Sequence, residues 1–154
     1  MKFIGKDGQE VELIILGYQF PNDFDNEWDA NWLRIYLKVK SNFGNWQTVD
    51  SSVTTWEIYK LIQWFHDLSI NKRTADPDMT FVEPNLAFEL IDKTDESKTI
   101  QLRFDLESKP QSADDNKEYF INFQFLNQDL VIISKELSVQ YGKFPIRPYP
   151  KLQQ

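Results

Sequence analysis

The sequence predicts an α+β fold in which a largely antiparallel β-sheet packs against one main amphipathic helix. Short runs of alternating apolar and polar residues recur along the chain, and this period of two is typical of half-buried strands. Residues 54–69 differ, because their apolar residues recur every three or four positions, as on one face of a helix. A second helical pattern covers about residues 128–141. The alternating runs indicate about seven or eight strands.

The helix predicted over residues 54–69 has a marked start and a marked end. Thr54 and, three residues later, Glu57 form a capping box, in which each side chain satisfies a backbone N–H of the first turn. Lys72 and Arg73 suit the negative end of the helix dipole, and the polar residues after them stop the helix. The apolar stripe comprises Ile58, Leu61, Ile62, Phe65 and Leu68. The outer residues, which could add to a partner-binding surface, are Glu57, Lys60, Gln63 and Asp67.

Two hairpins are predicted before this helix. Asp7-Gly8 lies between extended runs, and both turn positions of such a hairpin favour positive φ. Residues 30–40 alternate so that the aliphatic side chains share one face, which is predicted to be core. The opposite face carries long amphipathic side chains that can cover a sheet while their tips stay in water. Its members are Trp32, Arg34, Tyr36, Lys38 and Lys40.

Residues 127–141 fit either a strand or a helix. The tetrapeptide Leu-Val-Ile-Ile favours a strand, whereas Leu130, Ile133 and Leu137 recur at helical spacing. Asn127 can cap a helix and Gly142 can end it, so the sequence favours a helix over about 128–141. Residues 144–154 contain three prolines and are predicted to form an extended tail.

Length and residue usage predict a single domain over residues 1–154 without a metal or cofactor. Cysteine is absent, which excludes disulfides and thiolate ligands, and His66 is the single histidine. His66 is interpreted as a half-buried surface residue. The motifs of serine hydrolases, phosphate-binding loops and zinc proteases are all missing from the sequence. We therefore expect no catalytic residue and no enzymatic activity.

The charge favours a protein partner over nucleic acid. The chain has 17 basic and 24 acidic residues, a net charge of −7, which repels phosphate backbones but attracts a basic protein. Alternatively, a net charge of this size does no more than keep a small domain in solution. No apolar run approaches the roughly 20 residues that span a bilayer, and the first residues lack a signal-peptide pattern. We expect a cytoplasmic protein with no membrane contact.

An acidic loop over residues 19–29 is the candidate binding site. A calcium loop is disfavoured, because Trp28 stands where such a loop needs glycine and the distal bidentate glutamate is missing. The loop is then either simply solvated surface or an acidic docking site in which Phe24 and Trp28 act as anchors. The candidate partner-binding residues are Asp23, Asp25, Glu27, Trp28 and Asp29.

The five tryptophans leave a second possibility open. Exposed indole rings form stacking platforms in carbohydrate-binding modules, but core packing of an α+β domain uses the same residues. Most of the tryptophans are predicted to lie in the core or at its rim. The sequence therefore leaves open a carbohydrate-binding or other protein-interaction module that uses exposed tryptophans.

The order of several short motifs resembles the immunity proteins of the WapI type. These motifs are Asn-Trp-Leu at residues 31–33, Gly-x-Trp at 44–46, Thr-Trp-Glu at 55–57, Glu-Pro-x-Leu-x-Phe at 83–88 and Phe-Pro at 144–145. The resemblance implies a small cytoplasmic, non-catalytic protein that binds and neutralises the C-terminal domain, often a nuclease, of a polymorphic cell-surface toxin. It supplies no catalytic residue. The acidic loop is then expected to lie against a basic surface of the toxin.

Overall fold

The structure, a computed structural model, describes residues 1–22, 24–73 and 77–148. Its strands are β1 (Lys2–Ile4), β2 (Glu10–Tyr18), β3 (Trp32–Ser41), β4 (Gly44–Thr54), β5 (Asp78–Thr80), β6 (Leu86–Lys93), β7 (Ser97–Phe104) and β8 (Tyr119–Leu126). Its α-helices are α1 (Glu27–Asn31), α2 (Thr55–Ser69) and α3 (Asn127–Tyr141). Short 3₁₀ turns cover Lys6–Gly8 and Leu106–Ser108.

The strands form two antiparallel sheets of four, each in chain order. Sheet 1 is β1-β2-β3-β4 and sheet 2 is β5-β6-β7-β8. The α+β class and the number of strands are confirmed, but the strands divide into two sheets. The division falls at α2, the fifteen-residue helix that lies between β4 and β5 in the chain.

Phe3 marks the place where the two sheets and α2 meet. Its ring centroid lies 5.9 Å from that of Phe65 on α2 and 5.8 Å from that of Phe88 on β6. The rings of Phe123 and Phe125 on β8 are 5.7 and 6.0 Å away. Such tilted aromatic contacts add to the stabilisation from burying the rings themselves. Both sheets therefore share one apolar cluster with α2.

The β3–β4 hairpin makes a second connection between the sheets. The Trp46 indole N–H donates to the Ser108 carbonyl at 2.9 Å, and its ring lies edge-on to that of Phe104, 5.4 Å away. The predicted exposed face of β3 is confirmed, since Arg34, Lys38 and Lys40 are exposed while Leu33, Ile35, Leu37 and Val39 are buried. At the β1–β2 turn, Asp7 and Gly8 have the predicted positive φ, 58° and 74°. The predicted two-residue turn is wrong, because Ile4 pairs with Glu10 and five residues therefore join the strands.

Both predicted helices are confirmed. In α2 the apolar stripe is buried and the capping box is present. In α3 the buried residues are Leu130, Ile133, Ser134 and Leu137, and the Ser134 hydroxyl donates to the Ile62 carbonyl of α2 at 3.2 Å. None of the described helices is long and apolar enough to cross a membrane. Residues 145–148 lie outside helices and strands, while residues 149–154 of the predicted tail lie outside the described residues.

The predicted outer face of α2 needs one correction. Lys60 and Gln63 are exposed and Asp67 is half-buried, but only 4% of Glu57 is exposed. Because the Glu57 carboxylate is used for hydrogen bonds inside the protein, it is not part of the outer face. His66 is exposed, where a half-buried position was predicted.

Candidate functional site

The candidate site is built on α1, which the sequence did not reveal. Asn26 starts this helix, because its Oδ1 accepts the Asp29 backbone N–H at 3.0 Å and its Nδ2 donates to the Asp29 carboxylate at 2.8 Å. Asp25 and Glu27 are exposed, whereas Asp29 is half-buried. Asp23, also a candidate, lies outside the described residues. Asp25 and Glu27 therefore face solvent, whereas the Asp29 carboxylate accepts a hydrogen bond from the capping residue Asn26.

The described carboxylates of this loop, those of Asp25, Glu27 and Asp29, have no ion-pair partner. Among residues 1–22, 24–73 and 77–148, the ion pairs lie elsewhere, at positions such as Lys2–Glu10 and Lys109–Asp105. No described basic side chain forms an ion pair with Asp25, Glu27 or Asp29. These carboxylates give the surface around them a negative potential.

Three tryptophans meet beside these carboxylates. The ring centroids of Trp28 and Trp56 are 4.9 Å apart at an interplanar angle of 80°, and those of Trp28 and Trp32 are 6.1 Å apart. Trp28 is 47% exposed, whereas Trp32 and Trp56 are half-buried. The three residues come from α1, the start of β3 and the start of α2. The Trp28 ring is therefore held by its neighbours and yet accessible.

Arg147 fastens the loop from the other side. Its guanidinium group donates to the carbonyls of Ala30 at 2.6 Å, Pro21 at 3.0 Å and Phe20 at 2.7 Å. Its Cζ also lies 3.8 Å from the Tyr18 ring centroid and 4.5 Å from that of Phe24. Phe24, predicted as a partner anchor, packs on Arg147. No local sequence pattern indicates Arg147, since its contacts lie more than 100 residues away along the chain.

Three further hydrogen bonds fix the backbone around Arg147. The side-chain amide of the fully buried Asn31 makes two hydrogen bonds with the Arg147 backbone. Asn31 Nδ2 donates to the Arg147 carbonyl, and the Arg147 N–H donates to Asn31 Oδ1, both at 2.9 Å. The Tyr18 hydroxyl donates to the Pro145 carbonyl at 2.5 Å. Burial raises the pKa of Tyr18, partly opposed by the Arg147 charge. The loop and the chain around residue 147 thus form one hydrogen-bonded unit.

One further cavity, of about 200 Å³, is lined by residues that include Lys72, Lys93 and Lys98. The buried Lys98 ammonium donates to Asn71 Oδ1, the Thr94 carbonyl and Asn127 Oδ1, which uses all three of its protons. Burial lowers the pKa of Lys98. In the described part of the chain, no three His, Asp or Glu side chains are grouped so that they could hold a metal ion.

An accessible tryptophan beside unpaired carboxylates, held on a rigid scaffold, is typical of a protein-binding surface. The sequence profile of the immunity protein WapI-like family matches residues 2–145, and the chain belongs to that family. No curated protein and no solved structure matches the chain.

Proposed function

We propose that this chain is a cytoplasmic immunity protein that binds and neutralises the C-terminal toxin domain of a cognate polymorphic toxin. Family membership supports the immunity role. The observation that supports the site is the exposure of Asp25 and Glu27, without an ion-pair partner in the described residues, next to the accessible Trp28. The proposed mechanism is blockade by occupancy, in which no bond of the toxin is made or broken.

The proposed partner surface is basic. A toxin domain that cuts nucleic acid needs cations to hold phosphates, and these cations are what an acidic surface recognises. A net charge of −7 increases the rate of encounter with such a surface, and the unpaired carboxylates orient the two proteins. The immunity protein would then compete with nucleic acid for the same cations.

Trp28 supplies the apolar contact of the proposed interface. Tryptophan is enriched among the residues that contribute most to protein–protein affinity, above all where its neighbours exclude water. The edge-on contact with Trp56 fixes the Trp28 ring before binding, so little side-chain entropy is lost on association. The same packing disfavours the carbohydrate-binding alternative, because Trp32 and Trp56 are half-buried and do not extend the accessible ring into a platform.

Rescue by co-expression tests the proposed function. The toxin domain encoded next to this chain is expressed with and without it, and survival only in its presence is the expected result. Purified proteins then give the association rate against ionic strength. For Asp25→Lys with Glu27→Lys, we expect an association rate about tenfold or more lower, with a weaker salt dependence.

The matched control is Asp115→Lys with Glu118→Lys. Both residues are exposed, make no described hydrogen bond or ion pair, and precede β8 in sheet 2. The two double variants change the net charge equally, so a difference between them reports the position of the interface. Equal association rates for the two variants would remove Asp25 and Glu27 from the interface, and a failure of co-expression to protect would overturn the toxin-binding function.

A further inference from the structure

Residues 144–148 lie across the base of the acidic loop, and we call them the C-terminal strap. Within the strap, Phe144 packs edge-on against Tyr18 with ring centroids 5.8 Å apart, Pro145 accepts the Tyr18 hydroxyl, and Arg147 reaches both ends of the loop. Asn31 joins the strap backbone to the first turn of α2, because its Oδ1 also accepts the Thr55 hydroxyl at 2.8 Å. The strap therefore connects the entry and the exit of the loop.

The chemistry of Arg147 suits this connection. A guanidinium group offers five N–H donors in a rigid plane, so it can serve several carbonyls at once, which an ammonium on a flexible stem does less well. The carbonyls of Phe20 and Pro21 precede the acidic residues and that of Ala30 follows them. Arg147 makes these hydrogen bonds to carbonyls, and it forms no ion pair with Asp25, Glu27 or Asp29.

We propose that Arg147 is a positioning residue, which holds residues 19–29 in the partner-binding conformation without touching the partner. The inference rests on the proposed function of the loop. A loop that samples other conformations binds with an apparent Kd equal to the intrinsic Kd divided by the fraction of molecules in the binding conformation. The strap keeps that fraction close to one, and its loss raises the apparent Kd by the inverse of the fraction that stays in the binding conformation.

Electrostatics alone predicts the opposite effect, which makes the inference testable. Removing a cation next to an acidic surface strengthens its attraction for a basic partner. If Arg147 contributed only its charge, Arg147→Ala would bind a basic toxin domain faster and more tightly. If Arg147 positions the loop, Arg147→Ala should instead bind the toxin domain more weakly.

Hydrogen exchange of the free protein tests, without any partner, whether Arg147 holds the loop in its conformation. For Arg147→Ala, we expect the amides of residues 18–31 to exchange about tenfold or more faster, and those of β6, β7 and α3 to stay unchanged. Arg147→Lys keeps the charge but not the planar donors, so it should open the loop nearly as much. Lys143→Ala is the matched control, since Lys143 is an exposed cation near the strap whose side chain makes no described hydrogen bond or ion pair.

Affinity for the toxin domain of the neighbouring gene tests whether the loop conformation that Arg147 holds contributes to binding. The Kd of Arg147→Ala should rise by the inverse of the fraction of molecules whose loop, by exchange, stays closed, and that of Lys143→Ala should not rise. Unchanged exchange, or faster exchange spread over the whole protein, would overturn the strap while leaving the proposed function in place. Faster exchange that leaves the loop mostly closed, or a mostly open loop with an unchanged Kd, would overturn the positioning role. If the unaltered chain does not bind the toxin domain at all, the proposed function fails and the positioning role fails with it, whatever the exchange shows.

Discussion

Glu57 closes the N-terminus of α2 by accepting two hydrogen bonds from Thr54, one from its backbone N–H and one from its hydroxyl, both at 2.8 Å. Its other carboxylate oxygen accepts the Val82 N–H at 2.6 Å. Only 4% of this side chain is exposed. One carboxylate thus holds the start of the central helix and the chain before β6 together.

Replacing Glu57 should lower the free energy of unfolding substantially. Glu57→Ala leaves three donors without their acceptor, and we expect a loss of about 2–4 kcal/mol. Glu57→Gln keeps one acceptor oxygen and should lose about 1–2 kcal/mol. Urea unfolding measures both. Gln63→Ala on the exposed side of the same helix is the control, with an expected change within about 0.5 kcal/mol; a similar small change for Glu57→Ala would contradict the role of the cap.

Asn85→Asp should lower the free energy of unfolding at pH 7, and this loss should disappear at acidic pH. The buried Asn85 amide donates to Asp50 at 2.8 Å and to Glu107 at 2.9 Å, so the substitution places a third carboxylate between two others. We expect a loss of about 2–4 kcal/mol at pH 7. The two neighbours raise the folded-state pKa of the new carboxyl, so the loss is present above that pKa and disappears as the pH falls below the unfolded value near about 3.9.

The control for this variant is Asn85→Ala, which removes the amide but adds no charge. Its loss of stability should not depend on pH in the same way. Unfolding by urea at pH 7, 5 and 4 gives the comparison. A loss for Asn85→Asp that grows as the pH falls would contradict the carboxylate explanation.

Lys98→Met should destabilise the protein although it removes a buried charge. The ammonium joins Asn71 after α2, Thr94 in the β6–β7 turn and Asn127 at the start of α3. The variant removes the unfavourable burial of the charge but leaves three acceptors without a donor, and we expect a net loss of about 1–3 kcal/mol. Thermal unfolding measures this loss of stability. Lys93→Met is the control, since Lys93 is an exposed lysine that lines the same cavity. An increase in stability would show that burying the charge outweighs its hydrogen bonds.

Tyr18 should make the stability of the protein fall at alkaline pH. Burial raises its pKa above the ordinary value of 10.0, so its contribution is fully present below pH 10.0 and is lost as the pH rises through the folded-state pKa. Tyr18→Phe removes the hydrogen bond to Pro145 and should cost about 0.5–1.5 kcal/mol at pH 8. The difference between the two proteins should shrink from pH 10 to pH 11 in urea unfolding. A constant difference would show that Tyr18 ionises alike in the folded and unfolded states, so that burial does not raise its pKa.

The sequence was sufficient for elements whose pattern is local. The stripe on α2 and the alternation along β3 each repeat within about ten residues, so both could be predicted with their buried faces. The helix at residues 127–141 was predicted correctly, although its Leu-Val-Ile-Ile segment also suits a strand. The predicted cap was wrong, because Leu126 is the N-cap residue and the Asn127 amide forms hydrogen bonds with Lys98 and the Asp95 carbonyl.

The features that were missed depend on residues far apart in the chain. The division into two sheets depends on β4 and β5 not pairing, for which neither strand carries a local signal. The burial of Glu57 follows from Val82, 25 residues away. For the candidate site, the acidic residues were visible in the sequence, but the contacts of Arg147 and of Trp56 are made only in the folded chain.

The position of Phe3 has a consequence for how the protein is made. The four rings around it belong to Phe65, Phe88, Phe123 and Phe125, so its last partner is synthesised 122 residues after it. Contacts this distant in sequence form late and slow folding, because a long loop must close first. Until β8 has been synthesised, β1 therefore has no complete set of partners. The shared core can form only after β8 is available, and not when the N-terminal hairpin emerges from the ribosome.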